Sequence, residues 1–248
     1  MKLNDLNNYL NQLLRPEQFS DYCPNGLQVE GRQEIHHIVT GVTASFELLE
    51  AALAAKADAI LVHHGYFWRG ESVAITGIKK RRIQFLLKHD LNLIAYHLPL
   101  DAHTEFGNNV MLAKQLGLAV TGWAGDKNML LLTELSQPLS LKEFVQMIDV
   151  KLNRTSQVIG DLTKTVQKVA ICTGAAQGYI EQAVAAGVDV YVSGEISEPT
   201  VHIARETGVS YIAAGHHATE RYGVQALGEH LAAKFGLIHT FIDCDNPV

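Results

Sequence analysis

Three cysteines, Cys23, Cys172 and Cys244, are all the thiol this 248-residue chain carries. An odd number without metal-ligand spacing argues against a disulfide framework and fits a reducing compartment, so all three read as structural. No stretch approaches the roughly 18 apolar residues that a helical membrane span needs. Positive charge is also short: 20 Lys plus Arg against 26 Asp plus Glu leave a net charge of -6. That balance gives no broad electrostatic footprint for a nucleic-acid backbone. The one basic run, Lys79-Lys80-Arg81-Arg82, has a plain reading as a solvated helix start. The N-terminal segment is amphipathic and polar, without the apolar core and small-residue cleavage site of a secretory signal, so cytoplasm is the expected location.

What is present is enough apolar material, 47% of residues against 19% charged, to bury one large domain or two small ones. Apolar runs suited to strands alternate with helical patterns: residues 38–43, a helix over 45–56 with Ser45 as N-cap, then runs at 59–62 and 91–96. The alternation predicts an α/β fold with mainly parallel sheets covered by helices.

The chain also repeats itself. A shift of 131 positions sets Ala44 on Ala175, Glu50 on Glu181, Asp58 on Asp189 and His63-His64 on Gly194-Glu195. A shift of 119 sets His97 on His216, Asp101 on Glu220 and Gly117-Leu118 on Gly236-Leu237, the difference being an extra loop around 66–77 in the first half. Two similar α/β halves follow, residues 1–124 and 125–248, with the C-terminal segment free to pack back on the first. Glu134 to Leu152 reads as a strand and a helix opened by a turn at Gln137-Pro138.

Leu61-Val62-His63-His64-Gly65 puts two imidazoles at the end of a buried strand, and His216-His217 follows the apolar run Tyr211-Ile212-Ala213-Ala214. At a strand end both rings of a pair can turn toward one site. A helix starting near Ala218 would set His216 and Glu220 on one side, able to share an ion. His63, His64, Asp101, His216 and Glu220 make three imidazoles and two carboxylates, more than one catalytic zinc takes but suited to two ions sharing a bridging carboxylate. Mixed ligands of this kind are compatible with Zn, Fe, Mn or Ni. His97 is either a further ligand, a donor behind Asp101 or a proton shuttle. His36, His37, His89, His103, His202, His230 and His239 read as structural.

The stretches "SDYCPNGLQVEG" at 20–31, "VTGVTAS" at 39–45, "VHHGYFW" at 62–68, "YHLPLDAH" at 96–103, "SGEISE" at 193–198 and "AAGHHATERYG" at 213–223 resemble the NIF-three family, whose members are called homologues of type 2 GTP cyclohydrolase I. The resemblance covers almost the whole chain and is close to the short bacterial branch. It implies two α/β domains, a ring-shaped homo-hexamer and two divalent metal ions per chain inside its cavity. His63 and Asp101 would hold one ion, His64 and His216 the other, and Glu220 would bridge both.

The reaction class that follows is metal-assisted hydrolysis of a nucleotide or related small molecule, with His97 as general acid or base. Asn25 and Glu195 are candidate polar groups of the pocket, and Tyr66, Phe67 and Trp68 could stack a base or pack at a subunit interface. Two other classes stand beside the enzyme. One is a metal-bearing scaffold. The other is a DNA-associated ring, which would need the run at 79–82 to line its hole.

Overall fold

The structure, a computed structural model, describes all 248 residues and divides the chain into two compact units, Met1–Phe106 with Gly223–Asp245 and Gly107–Tyr222 with Asn246–Val248. No helix is long and apolar enough to cross a membrane. In chain order the first unit contains α1 (Leu3–Leu14), β1 (Gly26–Val29), β2 (His37–Thr43), α2 (Phe46–Ala54), β3 (Ala59–His64), α3 (Gly77–Lys88), β4 (Asn92–Ala95) and α4 (Leu98–Asp101). The second contains α5 (Asn108–Leu116), β5 (Ala119–Ala124), β6 (Leu130–Ser140), α6 (Leu141–Leu152), β7 (Gln157–Ile159), β8 (Thr165–Cys172), α7 (Ile180–Ala185), β9 (Val190–Ser193), α8 (Glu198–Thr207) and β10 (Ser210–Ala213). Helix α9 (His216–Phe235) is counted with the second unit through Tyr222 and with the first from Gly223, and β11 (Ile238–Phe241) ends the regular structure.

In the first unit the sheet order is β1-β4-β3-β2-β11, parallel except where β1 pairs antiparallel with β4. Strand β3 shows why its sequence is apolar throughout. Ala59 and Leu61 pack with Leu3, Leu6 and Leu10 of α1 and Leu227 and Leu231 of α9, while Ile60 and Val62 pack with Leu48, Leu49, Ile83 and Leu86 of α2 and α3. Both faces are buried, as βαβ crossovers require. The expected strands and the Ser45 cap are all present, Ser45 accepting a hydrogen bond from Leu48 N–H at 3.2 Å. The basic run opens α3 as expected, and three of its four members are engaged locally: Lys79 with Glu71, Arg81 over the Phe46 ring and Arg82 over that of Tyr66.

The second unit keeps a parallel centre, β8-β9-β10, and adds antiparallel strands at both edges to give the order β5-β6-β8-β9-β10-β7. The repeat is visible in the elements: the 131 shift lays β2-α2-β3 over β8-α7-β9, and the 119 shift lays β4 over β10. Two local expectations are corrected. Gln137-Pro138 is not a turn before a strand but lies inside β6, where the register with β8 shifts between Glu134 and Leu139, a bulge being where a strand tolerates proline. The following helix starts instead at the Ser140–Glu143 capping box. Where the sequence reading divides the chain after 124, the contacts divide it after Phe106, since Leu112, Ala113 and Leu116 of α5 share a core with Leu131 and Phe144.

Leu61 is 1% exposed in the middle of β3. Leu61→Ala is expected to cost about 2–5 kcal/mol of unfolding free energy, read from urea denaturation, by combining lost transfer energy with a cavity.

Candidate metal centre

In the first unit the polar groups begin where the apolar strands stop. His63 and His64 close β3, with their ring centroids 4.5 Å apart. His63 is fully buried and its Nδ1 lies 3.0 Å from the Tyr96 carbonyl. A carbonyl only accepts, so Nδ1 carries the proton and the Nε2 lone pair points away, 3.4 Å from Asp101 Oδ1. Asp101, at the end of α4, is 6% exposed. His64 Nδ1 pairs with Thr43 Oγ1 at 3.1 Å, the last residue of the neighbouring strand β2. The turn after β3 is made tight by Gly65, where a Cβ would meet Gln28 Oε1 at 2.2 Å and Ala95 Cβ at 2.6 Å. The Gln28 amide in turn accepts from Tyr66 N–H at 2.7 Å.

His97 joins this group, its ring 5.1 Å from His63 and 5.8 Å from His64. His63, His64 and His97 each offer a nitrogen within 4.8 Å of the others. A partner absent from the sequence reading holds His97: Asp21, whose Oδ1 accepts from His97 Nδ1 at 2.7 Å. Burial alone would raise the Asp21 carboxyl, but hydrogen bonds from His97 and Asn25 outweigh it and bring it down to about 2. Asn25 donates to Asp21 at 2.8 Å and accepts from His97 N–H at 2.7 Å, so it acts on the backbone before α4. Burial and the Asp21 charge push the Cys23 thiol up to about 12, which keeps it a neutral structural group.

In the second unit three glycines sit at the ends of three parallel strands: Gly174 after β8, Gly194 after β9 and Gly215 after β10. Helix α9 starts at His216, two residues before the expected start, so Glu220 lies one full turn along it and not in the first turn. The expected pairing is present within that helix, His216 Nε2 lying 3.1 Å from Glu220 Oε2. Glu195 accepts from His216 Nδ1 at 2.7 Å, the same device that Asp21 applies to His97. Burial would lower the His216 pKa, but Glu220 first and then Glu195 raise it to about 9, so this spot favours a positive charge. Gly174 has φ +68, and a Cβ there would meet Glu220 Oε1 at 2.0 Å and His216 Nε2 at 3.3 Å.

Each unit thus gathers its own share of the expected residues, His63, His64, Asp101 and His97 in the first and His216, Glu220 and Glu195 in the second. Of the aromatic candidates, Trp68 lies 5.0 Å edge-on to His97, whereas Tyr66 is buried with its hydroxyl on the Ala44 carbonyl and Phe67 packs edge-on to Tyr66. Asp21 and Gly174 were missed. Asp21 sits five residues before the Pro24-Asn25-Gly26 turn has ended, in a segment read only for Asn25, and Gly174 is the 131-shift equivalent of Thr43.

A profile of Duf34/NIF3 (NGG1p interacting factor 3) matches residues 1–247. The chain is 54% identical to a Pseudomonas aeruginosa protein called GTP cyclohydrolase 1 type 2 homolog over 93% of this chain and 92% of that one. A Yersinia pestis protein of the same name is 52% identical over the full length of both. A solved structure described as protein ybgI, of unknown function, is 48% identical and superposes over 100% of both chains with a TM-score of 0.97.

Gly174→Ala is expected to lose roughly 1–2 kcal/mol from the left-handed backbone alone and more from the clash with Glu220, measured by thermal unfolding. For Asp21 the folded pKa of about 2 lies below the ordinary 3.8, so its contribution to stability is complete above 3.8 and disappears as pH falls through 2. Acid titration followed by tryptophan fluorescence should show the stability gap between the wild type and Asp21→Asn closing over that window.

Proposed function

The chain belongs to the Duf34/NIF3 family (NGG1p interacting factor 3), and on that premise we propose that it is a dinuclear metal-dependent hydrolase acting on a nucleotide or related small molecule. His63 and Asp101 would hold one divalent ion, His64 and His216 the other, and Glu220 would contribute to both. The observation that carries this reading is the repeated pairing of an oriented imidazole Nε2 with a buried carboxylate, His63 with Asp101 at 3.4 Å and His216 with Glu220 at 3.1 Å. In both, the Nδ1 proton is fixed on an acceptor, which leaves Nε2 as the ligating atom. Glycine at 174 leaves room beside Glu220 and His216 that any side chain would fill. The donor set fits two ions of the Zn, Fe, Mn or Ni type.

When bound, two such ions supply Lewis acidity and activation of water. The protein's own groups supply the rest. His97, with its Nδ1 proton on Asp21, presents Nε2 as the atom that takes up or gives back a proton. Trp68, half-buried beside His64 and His97, offers an indole edge and face to a base. The nucleotide class rests on the name that relatives about half identical carry, GTP cyclohydrolase 1 type 2 homolog. A homo-hexameric ring in the cytoplasm is part of the same proposal and is checked by native mass spectrometry.

Elemental analysis of purified protein is expected to give about two ions per chain, with GTP or another nucleotide turned over and the turnover abolished by chelator. Glu220→Ala should lose both ions, whereas His97→Ala should keep them and lose roughly 10²–10⁴-fold in kcat. Full metal content in Glu220→Ala would remove the bridging role, and full metal in the wild type without turnover on a nucleotide panel would favour a metal-bearing scaffold.

A further inference from the structure

Asp21 receives four hydrogen bonds on its two oxygens, as many as the roughly four lone-pair sites a carboxylate offers. Oδ1 accepts from Tyr22 N–H at 2.6 Å and from His97 Nδ1 at 2.7 Å; Oδ2 accepts from Asn25 Nδ2 at 2.8 Å and from Leu98 N–H at 3.0 Å. Its side chain is only 4% exposed. The backbone around it is tied down as well, since Arg69 donates from its guanidinium to the Asp21 carbonyl at 2.8 Å and from its N–H to the Tyr22 carbonyl at 2.6 Å. The carboxylate therefore cannot move without breaking contacts within the 21–25 turn and to the start of α4, and the backbone that carries it is held by the loop after β3.

Fold stability alone does not ask for this arrangement. Capping the start of α4 needs one acceptor for Leu98 N–H, and Oδ2 provides it. The other oxygen is directed to a ring. Because a carboxylate only accepts, the contact fixes the proton of neutral His97 on Nδ1 and leaves the lone pair on Nε2 of a ring that stands 5.1 Å from that of His63 and 5.8 Å from that of His64. The equivalent imidazole in the repeat, His216, is held in the same way by Glu195 at the same 2.7 Å. Asp21 comes from the turn before β1, where Glu195 follows β9, so the two halves reach one ring geometry through carboxylates from unrelated positions.

We infer that Asp21 is the positioning residue of the proposed hydrolase: it locks His97 in the Nδ1–H tautomer so that Nε2 faces the reacting centre. This rests on the proposed role of His97 for its catalytic readout, and on the hydrogen bonds themselves for its structural one. The two are measured separately. Long-range proton–nitrogen correlation spectra of ¹⁵N-histidine-labelled full-length protein, with His97 assigned by its absence in His97→Gln, report the tautomer with no substrate present. The wild type should show neutral His97 with Nδ1 protonated, and Asp21→Asn, whose amide can offer either an oxygen or an NH₂, should show a mixture of tautomers. In GTP hydrolysis Asp21→Asn should lower kcat roughly 10–100-fold with KM and metal content little changed.

An Nε2–H tautomer in the wild type overturns the inference without any variant, which keeps it testable should Asp21→Asn fail to fold. Retention of a single Nδ1–H tautomer in Asp21→Asn overturns it too, as does a fall in kcat no larger than a fall in bound metal. A wild type inactive on GTP and the nucleotide panel would instead count against the hydrolase reading, and the tautomer spectra would then decide the positioning role alone.

Discussion

A strand covered on both faces is mostly apolar along its length and admits a polar side chain where a hydrogen-bond partner is at hand, as for Thr40 and Asn92, and that restriction governs where chemistry appears in this molecule. Residues 59–62 in β3 and Val190, Tyr191 and Val192 in β9 are buried in their sheets. Imidazole and charge follow at the ends of these apolar runs, His63 and His64 as the last two residues of β3 in one unit and Glu195 two residues past β9 in the other. The carboxyl ends of parallel strands are the common location for ligands in such sheets, and the reason here is burial. The cost of desolvating a carboxylate or an imidazole is acceptable only where a partner of opposite character is within reach.

Those partners are organised in one pattern. Each of the four imidazoles has its Nδ1 engaged: His63 on a carbonyl, His64 on a threonine hydroxyl, His97 and His216 on carboxylates. Engagement of one ring nitrogen defines what the other can do, and with acceptors on Nδ1 the answer is the same for His63, His97 and His216. The glycines serve this pattern from the backbone side, Gly65 by admitting the Gln28 amide and Gly174 by leaving space beside Glu220.

How much of this could be read from the residues follows from which interactions are local. Strand β3, the Ser45 cap and the i,i+4 pair His216 and Glu220 depend on spacing within a short window, and spacing is visible in a sequence. The repeat added the equivalence of His97 with His216 and of β2-β3 with β8-β9. Asp21 was missed because its link to His97 spans 76 positions and no periodicity connects a turn to a distant helix start. The bulge at Gln137-Pro138 was misread for a related reason, since a proline looks like a strand boundary until the register of the neighbouring strand is known. The start of α9 was placed late because His216 and His217 looked like strand-end residues, and only the helix hydrogen bonds show them inside its first turn.

The pairing of β11 with β2 has a consequence for how the protein is made. Thr40 in β2 bonds to His239 in β11, 199 positions further along. During synthesis the β2 edge, with its unpaired N–H and C=O groups, is therefore open until Ile238–Phe241 have left the ribosome. An open strand edge is a template for wrong partners. The second unit, apart from its last three residues, is complete before that edge is closed, so nascent chains should depend on chaperones most during the emergence of residues 107–237.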